Sequence, residues 1–326
     1  MKTIIQSFKT TLNFLIQVFA WSVPLVALGV WLLPHTYFFA MLRSVSPQIA
    51  LFALVSVVYF LFRNKTLLFL STYAGLLLLI PVFLDPVLPP AMAEKKSEQQ
   101  NISFAQFNVL KFNSAYDNVS AQALASGADI ISFQEVDTAW DKNLREKLTK
   151  EYPYVISYPT EWCCFGVALF SKMPLKNEGI EFLGGVPNVV ADVNVEGQLI
   201  HVVSVHTSSP IVKQNFVRRN QHLLELTQYL SKVKNPKIVL GDFNSVPWDV
   251  YLNEFKNDTK LMDSRHSYVA TYPSWLGRFG IPIDYIFHSD DIVCTSFLPL
   301  HSTSSDHHGV KGEYCFKSSG IAQNTK

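Results

Sequence analysis

The chain has 326 residues, 48% of them hydrophobic and only 16% charged, with a formal net charge of +1. Its mean hydropathy of +0.16 is too apolar for an ordinary soluble enzyme. Residues 1–90 hold five of the 27 Lys and Arg and one of the 26 acidic residues, which leaves the rest of the chain near −3. That balance disfavours a duplex-DNA binder, whose affinity rests on neutralising phosphates, while small, lipid-linked or metal-chelated phosphates remain suitable.

Three stretches, Lys9 to His35, Arg43 to Arg63 and Lys65 to Asp85, run without a charged side chain between their ends. Each approaches the ~20 apolar residues that cross a bilayer. They predict membrane helices at about 11–34, 45–62 and 66–84, within an anchor over 1–88. A cleaved signal peptide fits poorly, because the small-residue pattern Ala91-Met92-Ala93 follows the third run and the first is longer than a signal core. Lys2, Lys9, Arg63 and Lys65 put the N-terminus and second loop inside, against Arg43 alone in the first loop. Three crossings then deliver the remainder to the outer face of a bacterial inner or plasma membrane, although Lys95 and Lys96 blur the asymmetry. The predicted location is therefore a multi-pass membrane protein with its polar part extracytoplasmic.

Prolines followed by the polar run Glu94 to Gln100 make 89–100 a linker, with 101–318 a catalytic domain and 319–326 a tail. Within 101–318, short β-rich runs alternate with helical segments, which predicts an α/β domain built on sheets. The clearest strands are Ile102 to Val109, Ile130 to Phe133, Gly166 to Ser171, Leu199 to Val205, Lys237 to Leu240 and Ile283 to His288. Asn215 to Val233 is a helix by the spacing of Phe216, Leu223, Leu226 and Leu230, with Arg218 and Arg219 on its solvated face. Cys163, Cys164, Cys294 and Cys315 lack the paired spacing of a zinc site. A Cys294–Cys315 disulfide is open to an outside domain, but buried thiols are the expectation.

Polar residues recur where these strands stop: Asn108, Gln134-Glu135, His206-Thr207 and Gly241-Asp242-Phe243-Asn244. Sites in layered α/β proteins collect at such ends. Singly, each is as readily turn chemistry or a solvated face. In order, however, Phe107-Asn108-Val109, Phe133-Gln134-Glu135, Val205-His206-Thr207, Gly241-Asp242-Phe243-Asn244, Ile283-Asp284-Tyr285-Ile286 and Ser305-Asp306-His307 resemble the successive signatures of the endonuclease/exonuclease/phosphatase superfamily, over about Asn101 to Phe316. The resemblance implies a four-layer α/β/β/α sandwich, two packed mixed sheets flanked by helices, with its site at one edge of the sheets.

Phosphate-ester hydrolysis needs an attacking water, dispersal of negative charge and help for the leaving oxygen. A hard cation suits an oxygen-rich set, and the resemblance assigns Asn108, Glu135 and Asp306 to it, with Mg²⁺ expected and Mn²⁺ as the alternative. It implies that Asp242 orients or deprotonates the water, that Asn244 donates to the phosphoryl oxygens, that His307 contacts phosphate and that Asp284 holds the His307 ring. His206 matches a second histidine of the deoxyribonuclease-like branch, an acid or phosphate donor. The base, Asp242 or a histidine, stays open. Pro282 stands where many family nucleases carry an arginine, while Tyr272, Trp275 and Phe279 offer an apolar approach to the site.

The expected activity is a membrane-anchored, divalent-metal-dependent phosphoesterase acting on a phosphate ester or diphosphate of a membrane lipid or lipid-linked substrate. An extracytoplasmic nuclease is the alternative, with nucleic acid disfavoured by charge. The intact polar set argues against a third reading, a catalytically silent phosphate-binding module. No protein partner is identifiable.

Overall fold

The computed structural model describes residues 2–87, 101–161, 164–301 and 304–317, so the expected linker at 89–100 and tail at 319–326 lie outside the described residues. The chain forms two compact units, Met1–Leu88 with Val246–Asn253, and Pro89–Ser245 with Glu254–Lys326.

The first unit is helical: α1 (Lys2–Leu32), α2 (Tyr37–Ser44), α3 (Ser46–Phe62) and α4 (Thr66–Val87). Large apolar side chains lie on its outside as well as its inside. Small residues such as Ala20, Ala27, Ala50 and Ala53 are buried between helices, while Phe14, Leu25, Phe52, Val55 and Leu67 face outward. Helices in lipid pack through small residues because burying large apolar side chains gains nothing there. Pro24 lies inside α1 and, lacking an N–H, leaves the carbonyl four residues earlier without its helical donor. Ser71 Oγ of α4 donates to that Ala20 carbonyl at 2.8 Å, a side-chain repair suited to a medium without water.

Two helices, Ile5–Leu32 and Thr66–Leu84, are each long and apolar enough to cross a membrane. The expected middle span at 45–62 differs in form. Ser46–Phe62 meets Tyr37–Ser44 at a 67° bend, and only the pair together reaches spanning length. At about 1.5 Å per residue, 17 residues of α3 rise roughly 25 Å, short of a ~30 Å hydrocarbon layer.

The second unit contains two six-stranded mixed sheets. The first runs in the order β11 (Ile292–Leu300), β12 (Gly309–Phe316), β1 (Ile102–Asn108), β2 (Ile130–Gln134), β4 (Val167–Ser171), β3 (Tyr154–Tyr158). The second runs β5 (Leu175–Leu183), β6 (Val186–Val195), β7 (Gln198–His206), β8 (Lys237–Asp242), β10 (Asp284–His288), β9 (Met262–Asp263). Phe104, Ile130, Leu169, Val189, Val202, Leu240 and Ile286 fill the space between the sheets. Ala105, Phe107, Ile131 and Phe133, on the alternate face, pack beneath α5 (Tyr116–Ser126) and α6 (Thr138–Leu148) against Val119, Trp140 and Leu144. Both faces of β1 and β2 are thus covered, which is why they read as continuous apolar runs rather than alternating ones. With α7 (Lys213–Leu230) burying Phe216, Leu223, Leu226 and Leu230, this is the two-sheet sandwich flanked by helices.

Two expectations need correction or completion. Arg219 does not lie on a solvated face: it is fully buried, its guanidinium 5.2 Å from the Phe216 ring centroid and its Nη1 3.4 Å from the Asn244 carbonyl. Cys294 and Cys315 lie on adjacent strands β11 and β12 but are thiols, not a disulfide.

Candidate active site

The site collects at one edge of both sheets because the registers align their strand ends. β1 and β2 run parallel with Asn108 opposite Gln134, so Asn108 and Glu135 emerge together. β7 and β8 run parallel with His206 opposite Asp242, and antiparallel β10 sets Asp284 opposite Asp242. His307 arrives from the segment just before β12. At the centre, Asp242 Oδ2 accepts from Asn108 Nδ2 at 3.1 Å and Asn244 Nδ2 at 3.3 Å, while its Oδ1 accepts from the Asn244 backbone N–H at 2.8 Å. His206 Nε2 and His307 Nε2 lie 3.6 and 3.8 Å from the same Oδ2. His307 Nδ1 bonds Asp284 Oδ2 at 2.9 Å, and Asn108 Nδ2 also reaches Glu135 Oε1 at 3.1 Å. Seven of the eight expected residues are therefore joined by direct contacts, and Asp306 is the backbone neighbour of His307.

The local backbone is shaped for this convergence. Gly241 has φ +144, and a Cβ there would stand 1.8 Å from the Val205 carbonyl oxygen, so only glycine lets β8 approach β7 before Asp242. Leu110, Glu135 and Asn244 have φ of +58, +64 and +46. Left-handed backbone at non-glycine residues costs on the order of 1 kcal/mol or more, and such residues concentrate at functional sites. Asn244 is held there by Nδ2 donating to the Thr207 carbonyl at 2.9 Å, and Glu135 by the Lys111 N–H donating to Oε2 at 3.0 Å.

Sequence reasoning missed several supports. Gln106 Nε2, in mid-strand, donates to Asp284 Oδ1 at 2.8 Å and to Gln134 Oε1 at 2.6 Å. Gln134 donates in turn to Ser132 Oγ, which contacts Ser204 Oγ of the other sheet at 2.6 Å. Thr271 Oγ1 accepts from the Ile283 and Asp284 N–H groups, and Ser305 Oγ donates to the Asn108 carbonyl while accepting from the His307 N–H. Polar residues inside apolar strands were the available signal for Gln106 and Ser132. Thr271 acts across the fold and had none, while Ser305 stood within the Ser305-Asp306-His307 signature without its hydrogen bonds being legible.

Burial dominates the electrostatics. It raises the Asp242 pKa to about 8, with the Asp284 charge adding to it against the pull of His307 and the amide donors. Burial opposes charge on His307 too, but the Asp284 and Asp242 carboxylates, with the hydrogen bond His307 donates to Asp284, lift its pKa to about 10. His206 is pushed down by burial and stays neutral at ordinary pH. Asp306 is raised by burial, and Glu135 acts on it as a like charge.

The donor set fits a hard cation at Glu135 and Asp306. Asp306 Oδ1 is buried with no hydrogen-bond partner among the described residues, and Glu135 acts on Asp306 as a like charge. An oxygen-coordinated divalent ion relieves both costs. Asn108 is oriented otherwise: its Oδ1 accepts from the Leu110 N–H at 3.0 Å and its Nδ2 faces the carboxylates, so it offers them a donor. Asp242, Asp284 and His307 also place ligand atoms within 4.8 Å of one another, all buried, but these atoms are already engaged in the hydrogen bonds above.

A model of the Endonuclease/Exonuclease/phosphatase family matches residues 105–307, which enclose all eight residues. The chain belongs to this family. It is accordingly a hydrolase of phosphoester bonds, in a family that generally uses divalent metals. Among solved structures, a member of the endonuclease/exonuclease/phosphatase family from Bacteroides thetaiotaomicron is 18% identical, covers 68% of this chain and 100% of its own, and superposes with a TM-score of 0.57. The mannosyl-6-phosphatase of the same organism is 20% identical over 66% of this chain and 100% of its own, with a TM-score of 0.56. D. rerio TDP2, complexed with a single-strand DNA product, is 14% identical over 66% and 99%, with a TM-score of 0.54. At these identities the likeness is one of fold. No curated protein matches the chain.

Proposed function

We propose that the chain is a membrane-anchored phosphoesterase that hydrolyses a phosphate ester or diphosphate carried by a lipid, with its catalytic unit on the outer face. The observation that carries this is the convergence of Asp242, His206, Asn244, Asp284 and His307 beside the carboxylates of Glu135 and Asp306, in a chain with N-terminal helices apolar enough to span a bilayer. Tethering an enzyme to the bilayer raises its effective concentration for membrane substrates.

In this mechanism Asp242 Oδ2 takes the proton of the attacking water as its oxygen bonds to phosphorus. A base with a pKa of about 8 is well matched to that task near neutrality. His307, kept cationic by Asp284, donates from Nε2 to a phosphoryl oxygen and spreads charge as the bond to the leaving oxygen breaks. Asn244 positions Asp242 through its backbone N–H and turns its amide toward the same pocket. His206, neutral, serves as a hydrogen-bonding partner beside Asp242 rather than as an acid. Glu135 and Asp306 would hold a divalent cation, Mg²⁺ or Mn²⁺, which would supply charge neutralisation to the phosphoryl group.

The fold is compatible with a nuclease as the second reading, since one structural neighbour is a complex with a DNA product. The near −3 balance of the catalytic part weighs against it. Phosphate release by purified full-length protein over lipid phosphates, inositol phosphates and nucleic acids, with and without Mg²⁺, decides between them. Preference for nucleic acid, or phosphate release unchanged in Asp242→Ala protein, would sink the lipid phosphoesterase.

A further inference from the structure

Two surface segments bonded to the site residues carry large exposed apolar side chains. The short 3₁₀ segment Ser274–Phe279 is fastened to the site loop by its own start: the Ser274 N–H donates to the Asp306 carbonyl and Ser274 Oγ to the Ser305 carbonyl, both at 2.7 Å. Just before it, the Tyr272 ring lies 4.8 Å from the His307 ring centroid. The segment's far end is held by Tyr268 Oη donating to the Gly280 carbonyl. Between these fixed ends Trp275 is 77% exposed and Phe279 60%, with Leu276 also outward. From a second segment, Asn113 Nδ2 donates to the Ser304 carbonyl, and Phe112, one residue earlier, is 85% exposed. Leu110 and Lys111 of that turn bond Asn108 and Glu135 directly. Two separate segments, each anchored to site residues, therefore present large apolar side chains to solvent within a few residues of the phosphate-binding groups.

Isolated exposed apolar residues need no explanation, but aromatic ones gathered on anchored turns at a pocket mouth mark a binding surface. The pocket takes a phosphate, whereas these four exposed apolar side chains gain by covering hydrocarbon. We infer that Phe112, Trp275, Leu276 and Phe279 form a subsite for the hydrocarbon chain of an amphiphilic phosphate, which selects a long-chain lipid phosphate over a water-soluble one. This rests on the phosphoesterase function proposed above and names the feature that sets its substrate class. A nucleic acid could instead stack its bases on the same rings, but the aliphatic Leu276 and the acidic balance of the catalytic part favour hydrocarbon.

The test compares full-length wild-type protein with Trp275→Ala/Phe279→Ala and with Phe112→Ser in detergent micelles. The substrates are a long-chain alkyl phosphate, a short aryl phosphate and a single-stranded oligonucleotide. The double variant is expected to lose on the order of 30-fold or more in kcat/KM on the long-chain substrate, from the apolar area its two side chains no longer cover. Turnover of the aryl phosphate should stay within twofold, which also reports a folded site. Phe112→Ser should shift the same ratio in the same direction. Equal changes on both phosphates, or no change on the long chain, would overturn the subsite. So would a loss confined to the oligonucleotide. A wild-type protein inactive on every phosphoester would sink the proposed function and the subsite with it, whereas an active wild type without chain-length preference would sink the subsite alone.

Discussion

Replacing Asp284 by Asn tests the electrostatic core of the site with little change in shape. Both carboxylate oxygens accept hydrogen bonds, Oδ2 from His307 Nδ1 at 2.9 Å and Oδ1 from Gln106 Nε2 at 2.8 Å. Asparagine offers one acceptor and one donor, so either His307 or Gln106 faces an N–H, and a buried unpaired donor costs about 1–3 kcal/mol. The larger effect falls on His307. Its pKa of about 10 stands against burial only because Asp284, followed by Asp242, holds the proton. With Asp284 neutral, burial is opposed only by the Asp242 and Asp306 carboxylates, and the imidazole pKa falls. A smaller share of the ring is then cationic at pH 7.5, which by itself lowers the rate. Removal of the oriented charge should extend this to about 10²–10³ in kcat/KM. The assay is hydrolysis of a chromogenic phosphate ester from pH 5 to 10.5. Asp242 also loses a like-charged neighbour, so the whole profile of the variant should move to lower pH. Activity within threefold of wild type at pH 7.5, with an unmoved profile, would refute a role for Asp284 in holding His307 charged.

The wild-type pH profile should itself be bell-shaped. Asp242, raised to about 8, gains its basic form as pH rises through that value, and His307, raised to about 10, stays cationic until pH passes it, so kcat/KM peaks near pH 9. A flat profile from pH 6 to 11 contradicts both assignments. Chelation with EDTA should abolish turnover and Mg²⁺ restore it, with Glu135→Gln and Asp306→Asn each needing on the order of tenfold more Mg²⁺ for half-maximal rate; full activity in the chelated enzyme would remove the cation from the reaction. Gly241→Ala drives a Cβ into the Val205 carbonyl and should cost about 4 kcal/mol or more, a Tm fall of roughly 10 °C. Gly127→Ala has open space and pays only for its φ of +63, about 1 kcal/mol, so thermal denaturation of the pair separates steric overlap from backbone preference.

Asn108, Glu135, His206 and Asp242 were legible in the sequence because each stands where a run of apolar strand residues ends, whereas Asp284, which opens β10, and Asp306 and His307, which precede β12, were found only through the resemblance to the family signatures. The core strands β1, β2, β4 and β8 were equally plain, since burial on both faces leaves them short apolar-rich runs with few interruptions such as Gln106 and Ser132. Strands β5, β6 and β11 were not. β5 is largely exposed and interrupted by Gly179, and Asn188, Asp192 and Asn194 break the apolar run of β6. Asp192 is there because it accepts from Asn177 Nδ2 and pairs with His201 Nδ1 at 2.7 Å, contacts that no local pattern encodes. Helix α6 could have been found from its N-cap, where Asp137 Oδ1 accepts from the Trp140 N–H at 2.7 Å. Arg219 was placed wrongly because helical periodicity assigns a face but cannot know that the loop carrying Asn244 covers it. The orientation of the Asn108 amide likewise depends on the Leu110 N–H, and Leu110 has a backbone that composition does not foretell.

The polar links between the sheets limit how this architecture can change. Gln106 to Asp284 and Ser132 to Ser204 tie the two layers together at two depths, one at the catalytic edge and one within the apolar interior. Sliding either sheet by one residue would strand several dry polar atoms at once, so small lateral adjustments of the layers are forbidden. Diversification of such an enzyme toward new substrates is thereby channelled into its surface turns, and an alteration as remote as Ser204 should first register as a misaligned imidazole rather than as an unstable protein.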